Sequence, residues 1–320
     1  MPENARFAQG SPVFVAGHRG MVGSAIVRRL EALGYCNVLG RSHSELDLCD
    51  HAEVNQFFLE QRPESVFLAA AKVGGILANS TRPAEFLYQN LAIQTNVIHA
   101  AWKHGVKRLL FFGSSCIYPR LAPQPIKEES LLTGPLETTN EAYAIAKIAG
   151  VKLAAAYHAQ YGFSAISLMP TNLYGPGDNF DLESSHVIPA MIRRFHEAKI
   201  SGMPQVTLWG SGTPRREFLH VDDLANAACF LIENCNAPEL LNVGAGEDLT
   251  IAELSVLVAR IVGYTGRIVF DQSHPDGTPR KLLDLSRIHT LGWRAQIPLE
   301  CGIASTYQWY VTHASESVSA

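Results

Sequence analysis

Residues 17–23 read Gly-His-Arg-Gly-Met-Val-Gly, a GxxGxxG run set between a strand-like and a helix-like segment. Pro12–Ala16 before it is apolar, and Met21–Leu33 after it carries apolar residues at helical spacing. Glycines here allow a tight turn and close backbone approach to an anion. The helix that follows offers unpaired N–H groups and a partial positive charge. Glycines alone would also suit an ordinary strand-to-helix turn. Their position and spacing favour the pyrophosphate of a dinucleotide, which makes Gly17, His18, Arg19, Gly20, Met21, Val22 and Gly23 the expected cofactor loop.

Apolar runs and helix-like segments alternate through the first half. Expected strands are Pro12–Ala16, Asn37–Leu39, Ser65–Ala70, Arg108–Gly113 and Ser164–Met169. Expected helices are Met21–Leu33, Ala52–Glu60, Pro83–His104 and Asn140–Tyr161. This alternation predicts an α/β fold, a Rossmann-type doubly wound parallel sheet with a smaller C-terminal α/β substrate-binding region. Residues 1–177 are the expected cofactor domain, with a segment near 215–245 returning to it. Residues 178–320, where turn-rich stretches separate shorter elements, are the expected substrate domain. The small polar tail His313–Ala320 is expected to fray.

With 47% hydrophobic and 18% charged residues, the 320-residue chain can fill a large core. A net charge of −4 provides no drive toward nucleic acid or an anionic membrane. The six cysteines form no CxxC pair or zinc-finger spacing, so no metal site is expected, and free thiols point to a reducing cytoplasm. Met1–Gly10 lacks the layout of a signal peptide, and no apolar window reaches the roughly 20 residues of a membrane helix.

The second strand ends Val38-Leu39-Gly40-Arg41. An acid at that point would bind the adenosine ribose of NAD, whereas a guanidinium suits a 2′-phosphate. Arg41, with Arg19 as a second cation, therefore points to NADP(H). Asp47 or Asp50 could meet the adenine or cap the next helix.

Tyr143-Ala-Ile-Ala-Lys147 places a phenol and an ammonium on one helical face. A free tyrosine titrates near about 10, and a nearby cation favours its phenolate, so the pair can shuttle a proton. YxxxK is common by chance. It gains weight beside Gly113-Ser114-Ser115 at a strand's C-terminal end, where open α/β sheets bind ligands.

Together the glycine loop, the strand-end serine and YxxxK resemble the extended short-chain dehydrogenase/reductase family of nucleotide-sugar enzymes. The resemblance implies that Ser114 hydrogen-bonds the sugar oxygen at C4, that Tyr143 exchanges its proton, and that Lys147 assists. It also implies cofactor contacts from Ser115, from Pro170, Thr171, Asn172 and Leu173, and from His186, as well as a homodimer built on paired helices.

Family members that eliminate water carry an Asp-Glu pair after the serine, where this chain has Cys116-Ile117. Plain 4-epimerases carry a small inert residue at position 116. Gly113–Pro119, Ala69–Gly75, Pro170–Pro176, Ser185–Pro189 and Trp209–Pro214 are similar to the branch that converts GDP-4-keto-6-deoxy-D-mannose to GDP-L-fucose. That similarity implies inversion at C3 and C5, with Cys116 as base and His186 as acid, followed by hydride reduction at C4. It implies substrate contacts from Arg194, Trp209 and Arg216, and a weaker one from Asp276. Lys199 is a further candidate for the diphosphate, and Arg215 competes with Arg216. The alternative is a redox-neutral, NAD-dependent 4-epimerase.

Overall fold

The computed structural model describes residues 7–182, 184–235, 240–273 and 276–313, without the side chains of residues 76 and 77. The expected fraying falls mostly on residues 314–320, which lie outside them. The first half runs β1 (Val13–Ala16), α1 (Met21–Ala32), β2 (Val38–Leu39), α2 (His51–Gln61), β3 (Ser65–Leu68), α3 (Ile76–Thr81), α4 (Pro83–Lys103), β4 (Arg108–Phe112), α5 (Glu141–Tyr161), β5 (Ala165–Pro170) and β6 (Asn172–Tyr174). The remainder is α6 (Val187–Ile200), β7 (Gln205–Trp209), β8 (Arg215–His220), α7 (Val221–Asn234), β9 (Leu240–Val243), β10 (Asp248–Thr250), α8 (Ile251–Val262), β11 (Arg267–Asp271), β12 (Arg280–Lys281), α9 (Ser286–Thr290) and α10 (Leu299–His313).

β1, β3, β4 and β5 are buried along their whole length, which is why they read as predominantly apolar runs rather than alternating ones. They form the centre of a parallel sheet of order β2-β1-β3-β4-β5-β9. α1 packs with α7, and α4 packs with both α2 and α5. The strand order reverses beside β1, the place where such sheets leave a crevice for ligands. β3 and β4 end slightly short of expectation, and Ala69, Ala70 and Gly113, just past their ends, line that crevice.

The segment near 215–245 divides. α7 and β9 join the large sheet and its helices, whereas β8 pairs with β6, β10 and β12 in a separate small sheet. One apolar core surrounds the large sheet. A second gathers Ile192 and Phe195 of α6, Leu254 and Val258 of α8, and Ile303 of α10. A cavity of about 1330 Å³ takes walls from elements of both cores.

Candidate active site

The glycine loop is shaped by packing. Gly17 has φ +84°, and a Cβ on it would lie 2.8 Å from Ala70 N. A Cβ on Gly23 would lie 2.0 Å from Gly17 O, so α1 could not pack so close to β1. At Gly20 the nearest atom would be Gly17 O at 3.5 Å, and the space beside it is open to the cavity. Gly20 is also the N-cap of α1 and supplies no side-chain cap, so the first amides of the helix remain for a ligand. These features fit a pyrophosphate.

Met21, Val22 and Arg41 line the same cavity. Arg41 Nη1 donates to Gly40 O at 2.8 Å, and its guanidinium stands 5.6 Å from the centre of the Phe57 ring. His18 and Arg19 are not among the lining residues. His18 packs against Gly40, and Arg19 is exposed. Burial, with Arg19 and then Arg41 adding positive charge, holds the His18 imidazole below its ordinary pKa despite Glu45. Asp50 caps α2 through Ala52 N and Glu53 N, while Asp47 lines the cavity and accepts from Cys49 N at 2.9 Å.

Tyr143 and Lys147 lie one turn apart near the start of α5, and both line the cavity. Lys147 is buried. Its Nζ donates to Phe112 O at 2.8 Å and stands 5.8 Å from the centre of the Tyr143 ring. Burial pulls the ammonium down to about 7. The sequence reading expected a cation to favour the phenolate. Burial instead pushes the Tyr143 phenol up, negative charge at Cys116 adds to this, and a hydrogen bond with Ser114 only partly opposes it. Tyr143 thus rests as a proton donor.

Ser114 follows β4, and its Oγ accepts from Cys116 N at 3.2 Å, closing the single helical turn Ser115–Ile117. That turn carries Cys116 to the cavity wall, whereas Ser115 is buried behind it and still contributes to the lining. Cys116 Sγ accepts from Asn140 Nδ2 at 3.2 Å and from Lys281 Nζ at 3.9 Å. His186 is the N-cap of α6 and lines the cavity, exposed to the open space yet surrounded by protein; desolvation lowers its pKa.

Pro170, Thr171, Asn172 and Leu173 also line the cavity, with the Thr171 and Asn172 side chains anchored on Glu217 O. Arg194 places its guanidinium 5.7 Å from the centre of the Trp209 ring, and both face the cavity. Arg216 lines the cavity and Arg215 does not: Arg215 is turned to Asp248 at 2.9 Å. Asp276 lines the cavity, but its carboxylate accepts from Ser211 N and Ser211 Oγ at 2.7 and 2.8 Å. Lys199 lies outside the lining and donates to Val262 O at 2.8 Å near the end of α8.

A glycine cradle, a Tyr/Lys pair with its lysine buried, a strand-end serine and a cavity thiol thus share one cleft. Residues 13–244 match the NAD dependent epimerase/dehydratase family. The chain belongs to this family. It is 60% identical to the probable GDP-L-fucose synthase 1 of Oryza sativa subsp. japonica, over 95% of this chain and 93% of that one. It is 58% identical to the GDP-L-fucose synthase of Escherichia coli (strain K12), over 93% and 96% of the two chains. A solved GDP-L-fucose synthetase from Naegleria fowleri bound to NADP superposes with a TM-score of 0.89, at 27% identity, covering 98% of each chain.

In this member of the epimerase/dehydratase family, sequence reasoning missed Asn140 and Lys281, the two donors to Cys116. Asn140 carried a faint signal, since it stands three residues before Tyr143 and so one helical turn away. Lys281 carried none, because its place comes from the pairing of β12 with β8.

Proposed function

We propose that this protein converts GDP-4-keto-6-deoxy-D-mannose to GDP-L-fucose, inverting C3 and C5 and then reducing the C4 ketone with NADPH. The observation that carries this reading is the Cys116 thiol in one cavity with Ser114, Tyr143, Lys147 and His186. A reductase or a plain 4-epimerase has no need of a second acid/base set beside the Ser/Tyr/Lys group.

A ketone at C4 acidifies the hydrogens on both neighbouring carbons. Cys116 removes such a proton, and His186 returns one to the opposite face. Desolvation weakens the hold of His186 on its proton, which suits a donor. Ser114 and Tyr143 donate hydrogen bonds to the enolate oxygen as charge develops there. When bound, NADPH supplies the hydride for C4. Tyr143, kept protonated by burial, then gives its proton to the C4 alkoxide, and Lys147 holds the nicotinamide ribose. Gly20, the start of α1 and Arg41 are the groups suited to the pyrophosphate and the 2′-phosphate. Arg216 and Arg194 are suited to the substrate diphosphate, with Trp209 as a stacking wall for the base. Asp276 holds the Gly210–Thr213 turn beside Trp209 through Ser211.

Residues 1–177, with α7 and β9 returning to them, serve as the cofactor domain, and the rest of 178–320 serves mainly as the substrate domain. The two separate apolar cores support a two-part division, although Leu283, Leu285, Ile288 and Trp293 join the core of the large sheet and Tyr174 joins the other. The protein acts in the cytoplasm as a homodimer. Exposed Tyr88 on α4, and Ile145 and Tyr161 on α5, support a partner on those packed helices. Sedimentation of the purified protein as a monomer would remove the dimer.

The direct test supplies GDP-4-keto-6-deoxymannose and NADPH and follows cofactor oxidation and product formation. Folded protein that oxidises no NADPH ends this reading. Cys116→Ser should stop solvent deuterium from entering C3 and C5 while NADPH binding persists. Indifference to that change, with stoichiometric NAD on the purified protein, would favour the 4-epimerase.

A further inference from the structure

Two adjacent strands sort four cations onto opposite faces. β12 runs parallel to β8, with Arg280 opposite Arg215 and Lys281 opposite Arg216. Arg215 and Arg280 both pair with the Asp248 carboxylate. Side chains alternate along a strand, so Arg216 and Lys281 take the other face, where both line the cavity. Lys281 Nζ comes to 3.9 Å from Cys116 Sγ. From α5's approach, Asn140 donates its Nδ2–H to the same sulfur at 3.2 Å, while its buried Oδ1 has no protein partner. Among the described residues the sulfur meets donors only.

The other charged groups nearby do not cancel this arrangement. Arg216 adds positive charge at the sulfur, moderated by Asp276 and Glu137, which act on Arg216. Tyr143 is neutral at pH 7.

We propose that Asn140 and Lys281 are positioning residues that hold Cys116 as a thiolate. The inference rests on the epimerase/reductase reading above. A thiol cannot take up a proton from carbon, whereas a thiolate can. In the step, the C–H bond at C3 or C5 breaks and an S–H bond forms. The electron pair moves to the C4 oxygen as an enolate. A proton from His186 then completes the inverted centre, the thiol returns its proton to solvent, and His186 takes one back from solvent. Lys281 and Asn140 stabilise the state at the start of this cycle without touching the sugar carbon.

The test reads the thiol apart from turnover. Alkylation of Cys116 by iodoacetamide is followed against pH through the mass of its peptide, which separates it from the exposed Cys36 and Cys301. In parallel, deuterium uptake by GDP-4-keto-6-deoxymannose is measured without NADPH. Lys281→Met and Asn140→Asp should each raise the alkylation midpoint by about one pH unit. Deuterium uptake at pH 7 should fall roughly tenfold and recover as the pH is raised past the new midpoint. Lys281→Arg should stay close to the unmodified protein. Retained NADPH binding marks a folded variant. Midpoints unmoved in both Lys281→Met and Asn140→Asp would overturn the inference. Absence of deuterium uptake in the unmodified protein would instead sink the epimerase reading, and the midpoints would still decide the state of the sulfur.

Discussion

Alanine at Gly20 and alanine at Gly23 should fail in opposite ways, although the two glycines are three residues apart in one loop. At Gly23 the added Cβ would fall 2.0 Å from Gly17 O and 2.6 Å from Gly17 C, where ordinary contact begins at 3.4 Å. The loop or the helix must therefore move by about 1.4 Å, and the obstacle is backbone that cannot rotate away. Overpacking of this kind costs about 1–3 kcal/mol, which for a chain of this length lowers Tm by about 2–5 °C. At Gly20 the Cβ meets nothing nearer than 3.5 Å, and the backbone has φ −74°, which alanine adopts freely. Stability should fall by no more than about 1 kcal/mol, the difference between a glycine and an alanine N-cap. The methyl group would stand where the pyrophosphate approaches the amides of α1, so NADPH affinity should drop by about tenfold or more. Thermal denaturation without ligand and NADPH fluorescence titration read the two effects separately. Equal loss of stability in both variants, or full NADPH affinity in Gly20→Ala, would refute the packing argument.

Arg41→Ala should weaken NADPH by roughly 10–100-fold, the loss of one charge-assisted contact, while NADH binding changes little; equal losses in a paired titration would show that Arg41 does not meet the 2′-phosphate. Between about pH 7 and the ordinary lysine range of about 10.4, the unfolded chain carries a proton on Lys147 that the buried side chain gives up, so unfolding takes up a proton and stability rises with pH. Melting of the ligand-free protein between pH 7 and 8.5 should show that rise at up to about 1.4 kcal/mol per pH unit, and Lys147→Met should flatten it. Arg216→Gln should reduce the affinity for GDP about tenfold by calorimetry, whereas Arg215→Gln should leave GDP affinity intact and lower Tm through the lost Asp248 contact.

Those predictions divide along a line visible in the residues themselves. The glycine loop, the Tyr143/Lys147 pair and the strand-end Ser114 were legible because each depends on neighbours within one turn or one strand. Spacing of a few residues sets which backbone groups meet and which side chains share a helix face. The mostly apolar strands were equally plain, since burial on both faces leaves no polar alternation to misread. Arg41 was legible as the residue just past a strand end, where an acid would have signalled the other cofactor.

What the chain order could not disclose was the destination of its cations and carboxylates. Lys199 looked suited to a diphosphate and caps a helix instead; Asp276, a weaker substrate candidate, is engaged by Ser211. Arg215 and Arg216 are indistinguishable as letters, and only strand alternation in the folded sheet sends one to Asp248 and the other to the cavity. Lys281 reaches Cys116 across 165 positions of chain because β12 lies beside β8. Even the ionisation of the Tyr/Lys pair reversed the sequence expectation, because desolvation by the surrounding core raises the phenol and lowers the ammonium. Local geometry follows from covalent spacing and is therefore written in the sequence. The electric environment of a group depends on which distant segments exclude water from it, and that exists only once the chain has folded.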